Sequence, residues 1–93
     1  MNIIKVNKDN LDFIDSRFKD IEYWYLELDE NKKVKREIGF NGNNEPVIFL
    51  PNEKAPYGFW GDSPITFNAN EWDKVDLFEF MSFWRSQGNS NVA

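Results

Sequence analysis

The sequence predicts an α+β fold, in which a three- to four-stranded antiparallel β-meander carries two helices packed on one face. Three observations support this prediction. Three β-prone segments between residues 21 and 50 are separated by short polar turns, as in a local antiparallel meander. Apolar residues follow helical spacing before this region and again near the C-terminus. The length of 93 residues allows one hydrophobic core, because a domain typically has about 100 to 150 residues.

The N-terminal segment combines a short β-prone stretch with the start of a helix. Ile3, Ile4 and Val6 allow a strand that joins the meander. The polar residues 7–10 then provide turn and N-cap chemistry before Leu11. The residues three and seven positions after Leu11 are also apolar and share its helical face, so the first helix is predicted to begin here.

Three strands are predicted in the centre of the chain. In the first, Ile21 to Leu28, alternate residues place one side of the strand in the core. A polar turn at residues 29–32 leads to a second alternating segment, Val34 to Phe40. The Asn-Gly pair at positions 41 and 42 predicts a tight turn before the apolar third strand, Val47 to Leu50. The three strands are expected to pair in chain order.

The C-terminal part contains a long loop and the second predicted helix. Prolines and glycines punctuate residues 51–64, which predicts a loop, and Ile65 to Phe67 would add a short fourth strand. Asp76 is placed to cap a helix, and Gly88 is placed to end it. The apolar residues at helical spacing in this segment are Leu77, Phe80, Met81 and Trp84.

A single domain is predicted to span residues 1–88, followed by a disordered C-terminal tail at residues 89–93 that has nothing to bury. Its core is expected to combine apolar residues of the meander with those of the last helix. These core residues are Trp24, Leu26, Leu28, Val34, Ile38, Phe40, Ile48, Leu50, Leu77, Phe80, Met81 and Trp84.

The composition argues against several classes of function. The chain has no cysteine and no histidine, so thiol chemistry, disulfides, the commonest general base and the commonest metal ligand are absent. Sixteen acidic residues against eleven basic ones give a net charge of −5, which argues against nucleic-acid binding. The sequence therefore predicts no cofactor, no metal site and no nucleic-acid partner.

No catalytic motif is recognisable in the sequence. The serines lack a histidine partner, and none lies in a Gly-x-Ser-x-Gly motif. Asp12 and Asp15 lie at a predicted helix start, where negative charge is expected, and Glu27 and Asp29 mark the boundary between a strand and a turn. We therefore predict that the chain is not an enzyme.

The N-terminus lacks the features of a secretory signal, since no long apolar segment follows a charged one. The apolar runs are a few residues long, whereas about 20 apolar residues are needed to span a bilayer. A cytoplasmic location and no membrane partner are therefore expected.

The sequence around the meander resembles that of a group of small, mostly uncharacterised bacterial proteins. The residues that carry the resemblance are Arg36-Glu37-Ile38-Gly39-Phe40 and Gly58-Phe59-Trp60-Gly61-Asp62-Ser63-Pro64. The similarity covers the region from residue 23 to residue 67. Some proteins of this kind accompany polymorphic toxins, so the resemblance implies an immunity role, although it implies no particular site residues.

The aromatic loop at residues 57–62 has several interpretations. Its rings lie between glycines and could form an interface hot spot, since Trp and Tyr bury much area at little entropic cost. Alternatively, Trp60 closes the core beneath the loop, and Asp62 is a turn former. A third interpretation is a pocket for an apolar or sugar-like ligand, which would make the chain a small-ligand-binding or regulatory module.

Two further surfaces have alternative interpretations. Tyr23, Tyr25 and Glu27 are predicted to lie opposite Trp24, where they either form an exposed aromatic and acidic patch or are covered by the long loop. On the last helix, Phe78 and Phe83 flank the central apolar stripe. In one interpretation, one of these flanks meets a partner or a second copy of the chain. In the other, both flanks are the half-exposed edges of a wide apolar face.

Together these observations predict a protein-binding inhibitor, most specifically an immunity protein that covers a cognate toxin. Its partner is expected to be a basic protein, because an acidic aromatic surface complements a basic cleft. The chain itself is expected to be a monomer or a weak homodimer. The candidate partner-binding residues are Glu22, Tyr25, Glu27, Glu53, Trp60 and Asp62.

Overall fold

The structure is a computed structural model that describes residues 2–10, 20–51 and 65–90. For Asn10 and residues 87–90 it describes only the backbone. The described residues form an α+β architecture, in which a five-stranded antiparallel sheet packs against one α-helix. The strands are β1 (Asn2–Asn7), β2 (Tyr23–Leu28), β3 (Val34–Phe40), β4 (Pro46–Leu50) and β5 (Asp73–Lys74), and the helix is α1 (Leu77–Ser90).

The strand order is β4-β3-β2-β1-β5. The predicted central meander of β2, β3 and β4 is confirmed, and the N-terminal strand extends it by pairing with β2. The sheet has five strands instead of three or four, because the short β5 adds to the free edge of β1. The segment Ile65 to Phe67, predicted as a strand, is not one, although the Phe67 N–H donates to the Lys32 carbonyl over 2.9 Å.

A bulge divides the residues of β3 between the two faces of the sheet. Glu27 lies opposite Arg36, whereas the next residue, Leu28, lies opposite Val34, so Lys35 is the extra residue. A bulge of one residue shifts the alternation of side chains. As a result Val34 packs with the Trp24 face, while the later apolar residues of β3 lie on the opposite face.

The predicted single core is therefore two clusters on opposite faces of the sheet. The Trp24 face contains Ile4, Val6, Ile21, Trp24, Leu26, Leu28, Val34 and Phe67. The other cluster contains Ile3, Ile38, Phe40 and Phe80, with Tyr23, Tyr25, Phe49, Met81, Phe83 and Trp84 packed against it.

Helix α1 begins where the sequence predicts, because the Asp76 Oδ1 accepts the N–H of Phe78 over 2.6 Å. It lies on the tyrosine-bearing face and runs through Gly88 to Ser90, two residues past its predicted end. Leu77, predicted as a core residue, is 50% exposed, because it occupies the first position of the helix.

The prediction of two helices on one face is not confirmed. The first predicted helix begins at Leu11, and residues 11–19 lie outside the described residues. Before them the chain forms a short 3-10 turn at Lys8–Asn10. Within the described ranges, no helix is long and apolar enough to cross a membrane.

Candidate functional site

Exposed acidic side chains gather at the end of the sheet where β1 stops and β2 starts. Glu22 is exposed and directly follows the buried Ile21. Its N–H donates to the Phe40 carbonyl over 2.7 Å, and its own carbonyl accepts the N–H of Lys8 over 3.0 Å. The backbone of Glu22 is therefore fixed by two neighbouring segments.

Lys8 neutralises part of this acidic region. Its Nζ lies 3.0 Å from the Oε1 of Glu22. The hydrogen bond to Glu22 raises the pKa of Lys8 most, followed by the charge of Glu22 and then by those of Asp9 and Asp20. Among the described residues, three carboxylates thus act on one ammonium group.

Glu45 adds a fourth carboxylate from the turn between β3 and β4. The Asn41 Oδ1 accepts the N–H groups of Asn43 and Glu45 over 2.9 Å and 3.0 Å, and the Asn41 Nδ2 donates to Glu45 Oε1 over 3.0 Å. A Cβ at Gly42 would lie 3.6 Å from the Cγ of Glu22, so this turn lies beside Glu22. We name this surface the acidic end, formed by Asp9, Asp20, Glu22 and Glu45.

The acidic end is suited to binding several separate cations. In the described part of the chain, no group of three or more carboxylates is arranged to hold a metal ion. Carboxylates that do not converge on one point form individual charge-assisted hydrogen bonds with lysine and arginine side chains. The carboxylates of the acidic end can therefore each form separate hydrogen bonds with cationic groups.

Tyr23 and Tyr25 lie on the face opposite Trp24, as predicted, but helix α1 covers this face. The Tyr25 ring packs 4.5 Å from the ring centroid of Phe40 and 6.2 Å from that of Phe83. Tyr23 stacks on Phe40 at 4.7 Å, and its hydroxyl donates to Asn44 Oδ1 over 3.1 Å. The two tyrosines are half-buried, so they do not form the exposed patch considered from the sequence.

The environment of these tyrosines makes stability depend on pH. Burial, and then the neighbouring Glu79 carboxylate, raise the pKa of Tyr25 well above its usual value, and the same causes raise the pKa of Tyr23. An unfolded tyrosine loses its proton at a pH of about 10, whereas the folded protein keeps it. Stability is therefore complete below that pH and is lost as the pH rises through the folded pKa.

We expect the urea midpoint of the wild-type protein to fall more steeply between pH 9 and pH 11 than that of Tyr25→Phe. The difference is the loss of stability that arises from the Tyr25 phenol, which the variant lacks. Lysines also titrate in this range, so the difference between the two proteins is the informative quantity. Equal pH dependence in both proteins would show that Tyr25 titrates normally.

Glu27, predicted as an acid that contacts a partner, is fully buried. Its Oε1 accepts from Arg36 Nε over 2.5 Å, and its Oε2 accepts from Arg36 Nη2 over 2.7 Å. The reason is the register, which places Arg36 directly opposite Glu27 on the face that α1 covers. Glu27 therefore serves the contact between sheet and helix and is not exposed.

The remaining predicted site residues, Glu53, Trp60 and Asp62, lie outside the described residues, as does the aromatic loop at residues 57–62. The structure brings Glu22 together with Asp9, Asp20 and Glu45, which were not singled out in the sequence. Asp9 and Asp20 flank the same end of β1 and β2. A prediction that these two strands pair antiparallel would therefore have placed both carboxylates near Glu22.

Comparisons with family models, with curated proteins and with solved structures give no match to this chain.

Proposed function

We propose that this chain is a non-catalytic protein-binding module, an immunity protein that inhibits a basic bacterial toxin in the cytoplasm. The observation that carries the proposal is the acidic end, where the described residues Asp9, Asp20, Glu22 and Glu45 lie together and two hydrogen bonds fix the backbone of Glu22. The net charge of −5 supports it, because the whole molecule attracts a cationic partner.

The physical basis of the inhibition is complementarity of charge. Toxins that act on nucleic acids bind a polyanion, so their active sites carry clusters of lysine and arginine. A surface with spaced carboxylates occupies the same cationic groups and excludes the substrate. Opposite charges also speed association and select against acidic or neutral partners. The resemblance of residues 36–40 and 58–64 to proteins that accompany polymorphic toxins supports the same function.

Affinity capture tests the proposal. The tagged full chain is incubated with lysate of the source cells, washed at low and then at high salt, and the retained proteins are identified by mass spectrometry. We expect one stoichiometric basic protein that is retained at low salt and weakened at high salt, because exposed charges are screened. Expression of the captured protein alone in a heterologous host should stop growth. Co-expression of the wild-type chain should restore growth.

Charge reversal then tests the acidic end directly. Asp20→Lys combined with Glu22→Lys is expected to slow association with the captured protein by about tenfold or more and to abolish growth rescue. Glu30→Lys is the control for a charge reversal outside the acidic end, since Glu30 is exposed in the turn between β2 and β3 at the opposite end of the sheet. Equal binding by all three proteins, or retention of no basic protein, would contradict the proposed function.

A further inference from the structure

Phe78 is the one exposed aromatic side chain among the described residues. It is 88% exposed, and the preceding residue, Leu77, is 50% exposed. The other aromatic side chains in the described ranges are buried or half-buried. Large apolar side chains that remain exposed side by side often mark a binding surface. We name this pair the apolar corner.

The apolar corner is held on a rigid support. The Asp76 side chain caps the helix by accepting the Phe78 N–H, and the Phe80 N–H donates to the Asp76 carbonyl over 3.0 Å. The Val75 N–H donates to the Ile3 carbonyl over 2.8 Å, which ties the start of the helix to β1. Phe80, two residues after Phe78, is fully buried. A partner that binds Phe78 therefore orders little backbone, which lowers the entropic cost of binding.

The charges around the apolar corner indicate which partner it fits. Asp73, Asp76 and Glu79 are exposed in this segment, against the single base Lys74. Glu79 also acts on Tyr23, which directly follows Glu22 of the acidic end. Acidic side chains thus outnumber basic ones around the apolar corner, so it fits a partner whose surface carries lysine or arginine.

We propose that the apolar corner is a second contact with the toxin, in which Phe78 enters an apolar pocket whose rim carries lysine or arginine. This inference rests on the proposed function and adds the anchor that an acidic surface alone lacks, since aromatic anchors contribute most of the affinity at protein interfaces. A twofold dimer through the same surface is disfavoured, because it would place Asp76 and Glu79 against their own copies.

The experiment compares binding of the captured basic protein to the wild-type chain, Phe78→Ala, Phe78→Leu and Val47→Ala by titration calorimetry. We expect Phe78→Ala to raise Kd by about 30-fold or more, as for a hot-spot residue, and Phe78→Leu to raise it less. Val47→Ala is the control, because Val47 is another exposed apolar residue, at 50%, that lies in β4 at the opposite edge of the sheet. It should leave Kd within about twofold.

Phe78→Ala should be as stable as the wild-type chain, with an unchanged urea midpoint, because the removed side chain is 88% exposed. A loss of affinity would therefore not arise from unfolding. If Phe78→Ala binds with wild-type affinity while the acidic-end double variant binds weakly, the proposed role of the apolar corner is overturned and the proposed function stands. Wild-type affinity of both variants, or capture of no basic protein, would overturn both. A wild-type dimer that Phe78→Ala dissociates would assign the corner to self-association and overturn this inference.

Discussion

Replacing Glu27 with alanine is expected to lower the free energy of unfolding by about 3–5 kcal/mol, because it leaves a partly buried guanidinium without its partner. The Arg36 side chain is 23% exposed and Glu27 is fully buried. The expected cost arises from the orphaned charge and is larger than the net contribution of the pair itself, since burying both ions already costs desolvation energy.

Arg36 has no other carboxylate partner among the described residues. No second ion pair can therefore replace the one that is lost with Glu27. Its guanidinium carbon lies 5.3 Å from the ring centroid of Phe80 and 5.1 Å from that of Trp84. These rings attract the cation weakly, by about 0.5–2 kcal/mol each, and they restrict the access of water. The ion pair therefore connects the sheet to α1 through Arg36.

Urea denaturation followed by circular dichroism measures this effect. The control is Glu22→Ala, which breaks the exposed pair with Lys8 and should leave the midpoint almost unchanged. Replacing the pair together, with Glu27→Leu and Arg36→Met, should recover most of the stability, because neither charge is then left alone. An unfolding free energy of Glu27→Ala within about 1 kcal/mol of wild type would show that Arg36 reaches solvent in the variant.

Replacing Trp24 with alanine is expected to destabilise the protein by about 3–5 kcal/mol, because removal of a large buried ring leaves a cavity in the core. Trp24 is fully buried in the cluster on the sheet face opposite α1. It lies directly across from Gly39, and a Cβ at Gly39 would lie 3.1 Å from Trp24 Cζ3 and 3.2 Å from Ile21 Cδ1. Gly39 thus provides the space that the ring occupies.

This geometry predicts coupling between the two positions. Gly39→Ala alone should cost about 1–3 kcal/mol through overpacking, whereas in the Trp24→Ala background it should cost much less. Gly42→Ala is the matched glycine control, since its Cβ would lie 3.6 Å from the nearest atom and its φ is not positive. Strict additivity of Trp24→Ala and Gly39→Ala would contradict the close approach of ring and glycine.

The sequence by itself determined the elements whose signals are local. Alternation predicted β2 and β3, the polar turn with Asn41 and Gly42 predicted the connection to β4, and Asp76 predicted the start of α1. Each signal lies within a few residues of the feature that it predicts, so local backbone preferences and hydrogen bonds decide the outcome.

The tertiary structure decided which surfaces are covered. Alternation showed that Tyr25 and Glu27 share a face, but it carries no information on which face a distant helix covers. Helix α1 packs on that face, so Glu27 is buried against Arg36 and not available to a partner. Likewise, the pairing of β1 with β2 brings Asp9 and Asp20 beside Glu22, and Phe78 remains exposed because α1 buries its Phe80 side. These outcomes depend on contacts between segments far apart in the chain, whose free energy no short stretch of sequence contains.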